Sequence, residues 1–73
     1  MKEIKINSEF IRLGQFLKWA GIVGNGAEAG SLIKDHKVRV NGNICVQRGK
    51  KVFINDTIEV EGNDNYTIIN ENT

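Results

Sequence analysis

Residues 13–42, LGQFLKWAGIVGNGAEAGSLIKDHKVRVNG, constrain the fold more than any other part of the chain. Two short helical patterns run there into an alternating segment that ends in Asn41-Gly42. In the first pattern Leu13, Phe16, Leu17 and Ala20 follow the i, i+3, i+4, i+7 rule and form one apolar face. Gly14 lowers helix propensity within it, and Gly21 suits a C-cap. The start of this helix is open. Ser8 is placed to cap a first-turn amide, or the helix begins later, near Leu13. Gly24-Asn25-Gly26 reads as a turn, and Asn25 with Glu28 three residues on resembles a capping box with Asn in place of Ser or Thr. A second helix is therefore expected over about 27–36, with Ala29, Leu32, Ile33 and His36 at helical spacing and Lys34 facing water. Val38 to Val40 is a strand whose valines point away from Lys37 and Arg39. Asn41-Gly42 is a strong hairpin signal, because both residues tolerate positive φ. Residues 44–47 return. A strict two-residue turn puts Cys45 on the valine face, whereas a loop one residue longer puts Ile44 and Val46 there.

The flanking segments supply more strands. Residues 2–6 alternate, with Ile4 and Ile6 on one side. Residues 52–54 are a possible strand, Asn55-Asp56 a turn, and residues 57–61 a strand with Ile58 and Val60 inward. After a loop at 62–65, residues 66–69 form a last strand, at the edge or beside the N-terminal one. Residues 70–73 are expected to fray. The expected class is α+β: two short packed helices followed by a small, mostly antiparallel sheet, in a single domain spanning 1–73. At 73 residues the chain is near the lower size limit for folding alone.

Several function classes are disfavoured. There is no apolar run long enough to span a membrane, and MKEIKI is charged and too short for a signal peptide. The one cysteine, Cys45, makes neither an internal disulfide nor a multi-cysteine metal site, and suits a small buried apolar group. A reducing cytoplasm is the expected location. Gly24, Gly26 and Gly30 do not make a nucleotide loop, because no preceding strand and no Gly-Lys-Ser/Thr accompany them. One His, one Cys and scattered carboxylates provide no nucleophile–base pair. The chain is expected to be no enzyme and to use no cofactor.

The net charge of +1 conceals an uneven distribution. Residues 1–51 hold all ten Lys and Arg against four acids, a formal +6, and residues 52–73 hold five acids and no cation, a formal −5. A basic surface and an acidic end are a common layout in polyanion binders.

The pieces Arg12-Leu13, Phe16-Leu17, Ala29 with Leu32-Ile33, Val38-Arg39-Val40-Asn41-Gly42 and Asp56-Thr57-Ile58-Glu59-Val60 together resemble the RNA-binding domain named after ribosomal protein S-four, the alpha-L motif. The likeness covers about residues 10–61. The Leu-Gly-Gln-Phe-Leu-Lys and Arg-Gly-Lys-Lys segments look most like the stand-alone bacterial, YaaA-like members. The resemblance implies binding to ribosomal RNA or a part in ribosome assembly. Many members have Ser-Arg where this chain has Asn25-Gly26, so no phosphate contact from that Arg carries over, and Glu28 argues against a strong anion site there. Some relatives attach the domain to pseudouridine synthases or tRNA synthetases, for which this chain is too short.

The candidate RNA-binding residues are Arg12, Lys18, Lys34, Lys37, Arg39, Arg48, Lys50 and Lys51, expected to converge on one basic face built from helix 2, the hairpin and the Arg-Gly-Lys-Lys loop. Arg grips phosphate through two donors and Lys acts as a point charge. Trp19, beside Lys18, either stacks on a base or covers the edge of the core with its N–H in water. Tyr66 suits sheet packing, and His36 a helix end, where its cationic form fits the dipole. The expected partner is RNA, ribosomal RNA or a ribosomal particle, with no membrane or small-molecule substrate, and the chain is expected to be a monomer. The alternative is a protein–protein adaptor using the acidic C-terminal end. A sulfur carrier of the ubiquitin-like type is excluded by the ending Glu71-Asn72-Thr73 in place of Gly-Gly.

Overall fold

The Asn41-Gly42 turn sets the register of the hairpin it closes. In the computed structural model, which describes residues 1–72, φ is 51° at Asn41 and 87° at Gly42. Val40 pairs with Asn43 and Arg39 with Ile44, so the turn is the strict two-residue kind. Cys45 therefore joins the valine face. It is buried and its N–H donates to the Val38 carbonyl at 3.0 Å, while Ile44 and Val46 are exposed.

The hairpin strands are β3 (Val38–Val40) and β4 (Asn43–Ile44). Before them come β1 (Lys2–Ile6), β2 (Phe10–Arg12), α1 (Leu13–Trp19) and α2 (Gly26–Lys34), and after them β5 (Lys51–Phe53), β6 (Thr57–Val60) and β7 (Asn65–Asn70). One sheet has the order β1-β7-β6-β3-β4, parallel between β1 and β7 and antiparallel elsewhere. β2 and β5 form a separate antiparallel ribbon. The expected α+β architecture of two short helices and a mostly antiparallel sheet is what the chain adopts. No helix among the described residues is long and apolar enough to cross a membrane.

The helix faces follow from the sequence spacing. Leu13, Phe16 and Leu17 of α1 and Ala29 and Ile33 of α2 are buried against Val38, Val40, Val52, Ile58, Val60, Tyr66 and Ile68. Phe16 meets Tyr66 edge-on, with ring centroids 6.0 Å apart. Both helices end in a Schellman motif. At α1 the left-handed residue is Gly21 (φ 76°), with N–H bonds from Gly21 to Lys18 and from Ile22 to Leu17. At α2 it is His36 (φ 62°), with bonds from His36 to Ile33 and from Lys37 to Leu32. His36 thus lies outside the helix and is exposed, and it does not extend the apolar face as its spacing suggested.

Asn41 and Asp56 explain why Val-Asn-Gly and Asp-x-Ile-x-Val belong together. The Asn41 side chain accepts from Thr57 N–H at 2.9 Å and donates to Asp56 Oδ1 at 3.1 Å. Asp56 Oδ2 accepts from Phe53 N–H at 2.8 Å. Two side chains thereby fix the hairpin to β6 and close the β5–β6 turn, where Asn55 takes a φ of 75°.

Other boundaries differ from the sequence expectations. Ser8 does not cap a helix. Its hydroxyl donates to the Phe10 carbonyl at 2.8 Å, and the unanticipated strand β2 precedes a helix that starts at Leu13. β5 lies one residue earlier than expected. β7 pairs with β1 and reaches Asn70, and Glu71 N–H donates to the Ile6 carbonyl, where a frayed tail was expected. Thr73 lies outside the described residues.

Candidate functional site

The start of α1 has no side-chain cap. Unpaired first-turn amides must find acceptors elsewhere, and here they find backbone carbonyls of the 47–50 turn. Leu13 N–H donates to Lys50 O at 2.8 Å and Gly14 N–H to Arg48 O at 2.9 Å. The Arg12 guanidinium donates to Gly49 O at 2.8 Å, and the turn is closed by Lys50 N–H on Gln47 O. The Arg-Gly-Lys segment is therefore fastened to the beginning of α1.

Gly14 makes this possible. A Cβ at that position would stand 2.5 Å from Cγ and 3.1 Å from Cδ of Arg48. A Cβ at Gly30 would stand 3.7 Å from an Arg48 guanidinium nitrogen. The Arg48 stem lies over Gly14 of α1 and its charged head reaches the Gly30 surface of α2. The helix propensity given up by a glycine, about 1 kcal/mol, is here the condition for seating a cation across two helices.

Around it Arg12, Gly14, Gln15, Lys18, Gly26, Arg48 and Gly49 line a shallow groove with no carboxylate in its wall. Lys51 stands across from Arg12 in the β2–β5 pairing. Its ammonium lies 4.7 Å from the Phe10 ring centre, and the Arg12 guanidinium carbon lies 5.5 Å from the same ring. Arg12, Lys18, Arg48 and Lys51 thus come from four segments to one neighbourhood.

The other four cations are placed differently. Lys37 and Arg39 line a second groove together with His36, Glu59 and Glu61, and Arg39 sits directly across the β3–β6 pairing from Glu59. Lys50 lines a third, beside the hairpin residues Ile44, Cys45 and Val46. Lys34 is exposed in the last turn of α2, where a cation suits the helix dipole. The eight do not share one groove, and the sheet brings Glu59 and Glu61 alongside Lys37 and Arg39. The acidic C-terminal segment is likewise dispersed: Asp64 pairs with Lys2 at 3.2 Å, and Asp56 is taken up by Asn41 and Phe53.

Trp19 is 65% exposed, yet its indole N–H donates to Lys5 O at 2.8 Å rather than to water. It ties the end of α1 to β1. At α2, Asn25 accepts from Glu28 N–H at 2.9 Å and donates to the Glu28 carboxylate at 3.1 Å, so the helix start is closed by its own residues.

Gly14 and Gly30 were not legible as parts of this groove, and neither was the ring pair Phe10–Phe53 beside it. Two alternating triplets, Phe10-Ile11-Arg12 and Lys51-Val52-Phe53, carried the missed signal: each places a ring and a cation on one face of a strand.

This arrangement, two packed helices with a basic turn sealed onto the first and a Val-Asn-Gly hairpin locked to an Asp-x-Ile-x-Val strand, fits the small α+β fold of an S4 domain. Residues 4–69 match that family, and the chain belongs to it. It is also 37% identical over 67 residues to a Bacillus subtilis (strain 168) protein named "Probable ribosome maturation protein RlbA", an alignment covering 92% of this chain and 94% of the relative.

Proposed function

We propose that this chain is a non-catalytic RNA-binding protein that acts in ribosome assembly by holding structured ribosomal RNA against the Arg12–Lys18–Arg48 groove. The observation that carries the proposal is the convergence of these three cations, with Lys51 beside them, on a surface whose wall contains no carboxylate. RNA is a dense polyanion, and each phosphate neutralised by Lys or Arg releases condensed counterions. Arg48 is seated by backbone packing before any ligand arrives, so little side-chain entropy remains to be lost on binding. Lys34, Lys37, Arg39 and Lys50 add outlying positive charge that steers encounter more than it grips. Membership of the S4 domain family and the similarity to a probable ribosome maturation protein support the same reading.

Fluorescence anisotropy with labelled ribosomal RNA fragments tests it. Four engaged cations give a log–log salt slope of about −3 to −4, and a flat slope refutes the proposal. Co-purification from cells with and without RNase separates RNA binding from the adaptor alternative. Partners lost with RNase support RNA binding, and partners that survive support an adaptor.

A further inference from the structure

The β2–β5 ribbon has two dissimilar faces. Val52 is fully buried and Ile11 packs against the core, so these face inward. Phe10, Arg12, Lys51 and Phe53 face the other way, paired as Phe10 with Phe53 and Arg12 with Lys51. The two rings lie 5.8 Å apart at 51°, and Phe53 is left 47% exposed. Both cations are drawn over Phe10, which leaves the Phe53 ring as the uncovered one. Like charges directly opposite one another on paired strands are unfavourable, and among the described residues neither Arg12 nor Lys51 has an ion-pair partner. A fold that keeps two facing cations and an open ring together lacks an anion and a flat apolar group at the same place.

We infer that this face is a subsite for an unpaired RNA nucleotide, its base stacked on Phe53 and its phosphate held by Lys51 and Arg12. The inference rests on the RNA-binding reading and deepens it: the ligand is a paired stem carrying a bulged or single-stranded nucleotide next to the segment held in the Arg48 groove. Arg12 joins the two sites, since it lines the groove and also stands over Phe10. A base and its phosphate meet both demands of the face, whereas a second apolar protein surface would bury two cations without a counter-charge.

The test uses three RNA hairpins: one with a fully paired stem, one with a bulged uridine, and one with an abasic residue in the bulge. Binding of wild type, F53A, F53L and F53Y is measured with each. F53L keeps apolar bulk against Phe10 and guards against loss of folding, which thermal melting checks. Wild type is expected to prefer the bulged hairpin over the paired and abasic ones by about 5- to 150-fold, the worth of one stacked base. F53A and F53L are expected to abolish that preference and leave the paired hairpin unaffected, while F53Y keeps it. An unchanged preference in F53L, or an equal loss on all three hairpins, overturns the inference and leaves the proposed function standing. If wild type binds none of the hairpins, the proposed function fails and the subsite fails with it.

Discussion

Two of the grooves that contain cations are built in opposite ways. The first draws Arg12, Lys18 and Arg48 from separate segments and has no carboxylate in its wall. The second holds Lys37 and Arg39, but Glu59 of β6 and Glu61, just past its end, lie in the same wall. In sequence Lys37 and Arg39 lie closer together than any two cations of the first group. The sheet makes the difference, because pairing β3 with β6 sets Arg39 across from Glu59. A polyanion gains from an arginine only if it does not have to displace a carboxylate first, so the count of cations in a segment says less than which strand lies beside it.

Removing one charge from each groove separates the two most sharply. Arg48→Met keeps the apolar stem over Gly14 and deletes the guanidinium. It is expected to weaken binding to a ribosomal RNA fragment by about 10- to 150-fold, the range for a hydrogen bond to a charged group at about 1.5–3 kcal/mol. Arg39→Met is expected to cost no more than about 2-fold, within the range of surface ion pairs. Equal losses in anisotropy titrations would show that the two grooves are one site.

Asn41, by contrast, acts on the fold and not on the ligand. Asn41→Ala removes two side-chain hydrogen bonds and puts alanine at a φ of 51°. It is expected to lower unfolding stability by about 2 kcal/mol, at about 1 kcal/mol per hydrogen bond, with RNA affinity unchanged below the melting transition. Urea denaturation and anisotropy together check this, and a loss of affinity without loss of stability would move Asn41 into the site.

The hairpin, both helix faces and the Ile58–Val60 strand were legible because each rests on local periodicity or turn chemistry. The likeness of Val-Asn-Gly and Asp-x-Ile-x-Val to a known family was legible too, although the reason for it, the Asn41–Asp56 bond, spans fifteen positions and leaves no local trace. β2 and its pairing with β5 were missed for the same reason: a three-residue strand carries almost no periodic signal, and the pairing joins residues about forty positions apart. His36 was misplaced because apolar spacing does not report where a helix stops, and left-handed residues other than glycine give little warning. For the site, the residue types were readable and their grouping was not, since a sum of charges along the chain cannot show that β6 lies against β3.

Gly14 gives the first groove its floor under Arg48. Gly14→Ala raises helix propensity by up to about 1 kcal/mol, but the new methyl displaces Cγ of Arg48, which lies close to the backbone and has little room to swing away. RNA affinity is expected to fall by about 5-fold while the melting temperature moves by only a few degrees, because the propensity gain offsets the lost packing. In a double-mutant cycle Gly14→Ala adds little to Arg48→Met, as expected for two changes acting on one contact. Full additivity would mean that Gly14 meets the RNA itself.

The smallest effect is expected where the second groove is repaired. Neutralising its acids with Glu59→Gln and Glu61→Gln leaves Lys37 and Arg39 without opposing carboxylates and keeps the shape of the wall. If these two acids are what silences this groove, the double variant binds RNA about 2-fold more tightly and its salt slope steepens by up to about 1, one more phosphate neutralised. The gain is small because both cations are exposed and screened by salt. An unchanged slope would show that the second groove lies beyond the reach of the RNA, and that distance, rather than the neighbouring acids, separates the two grooves.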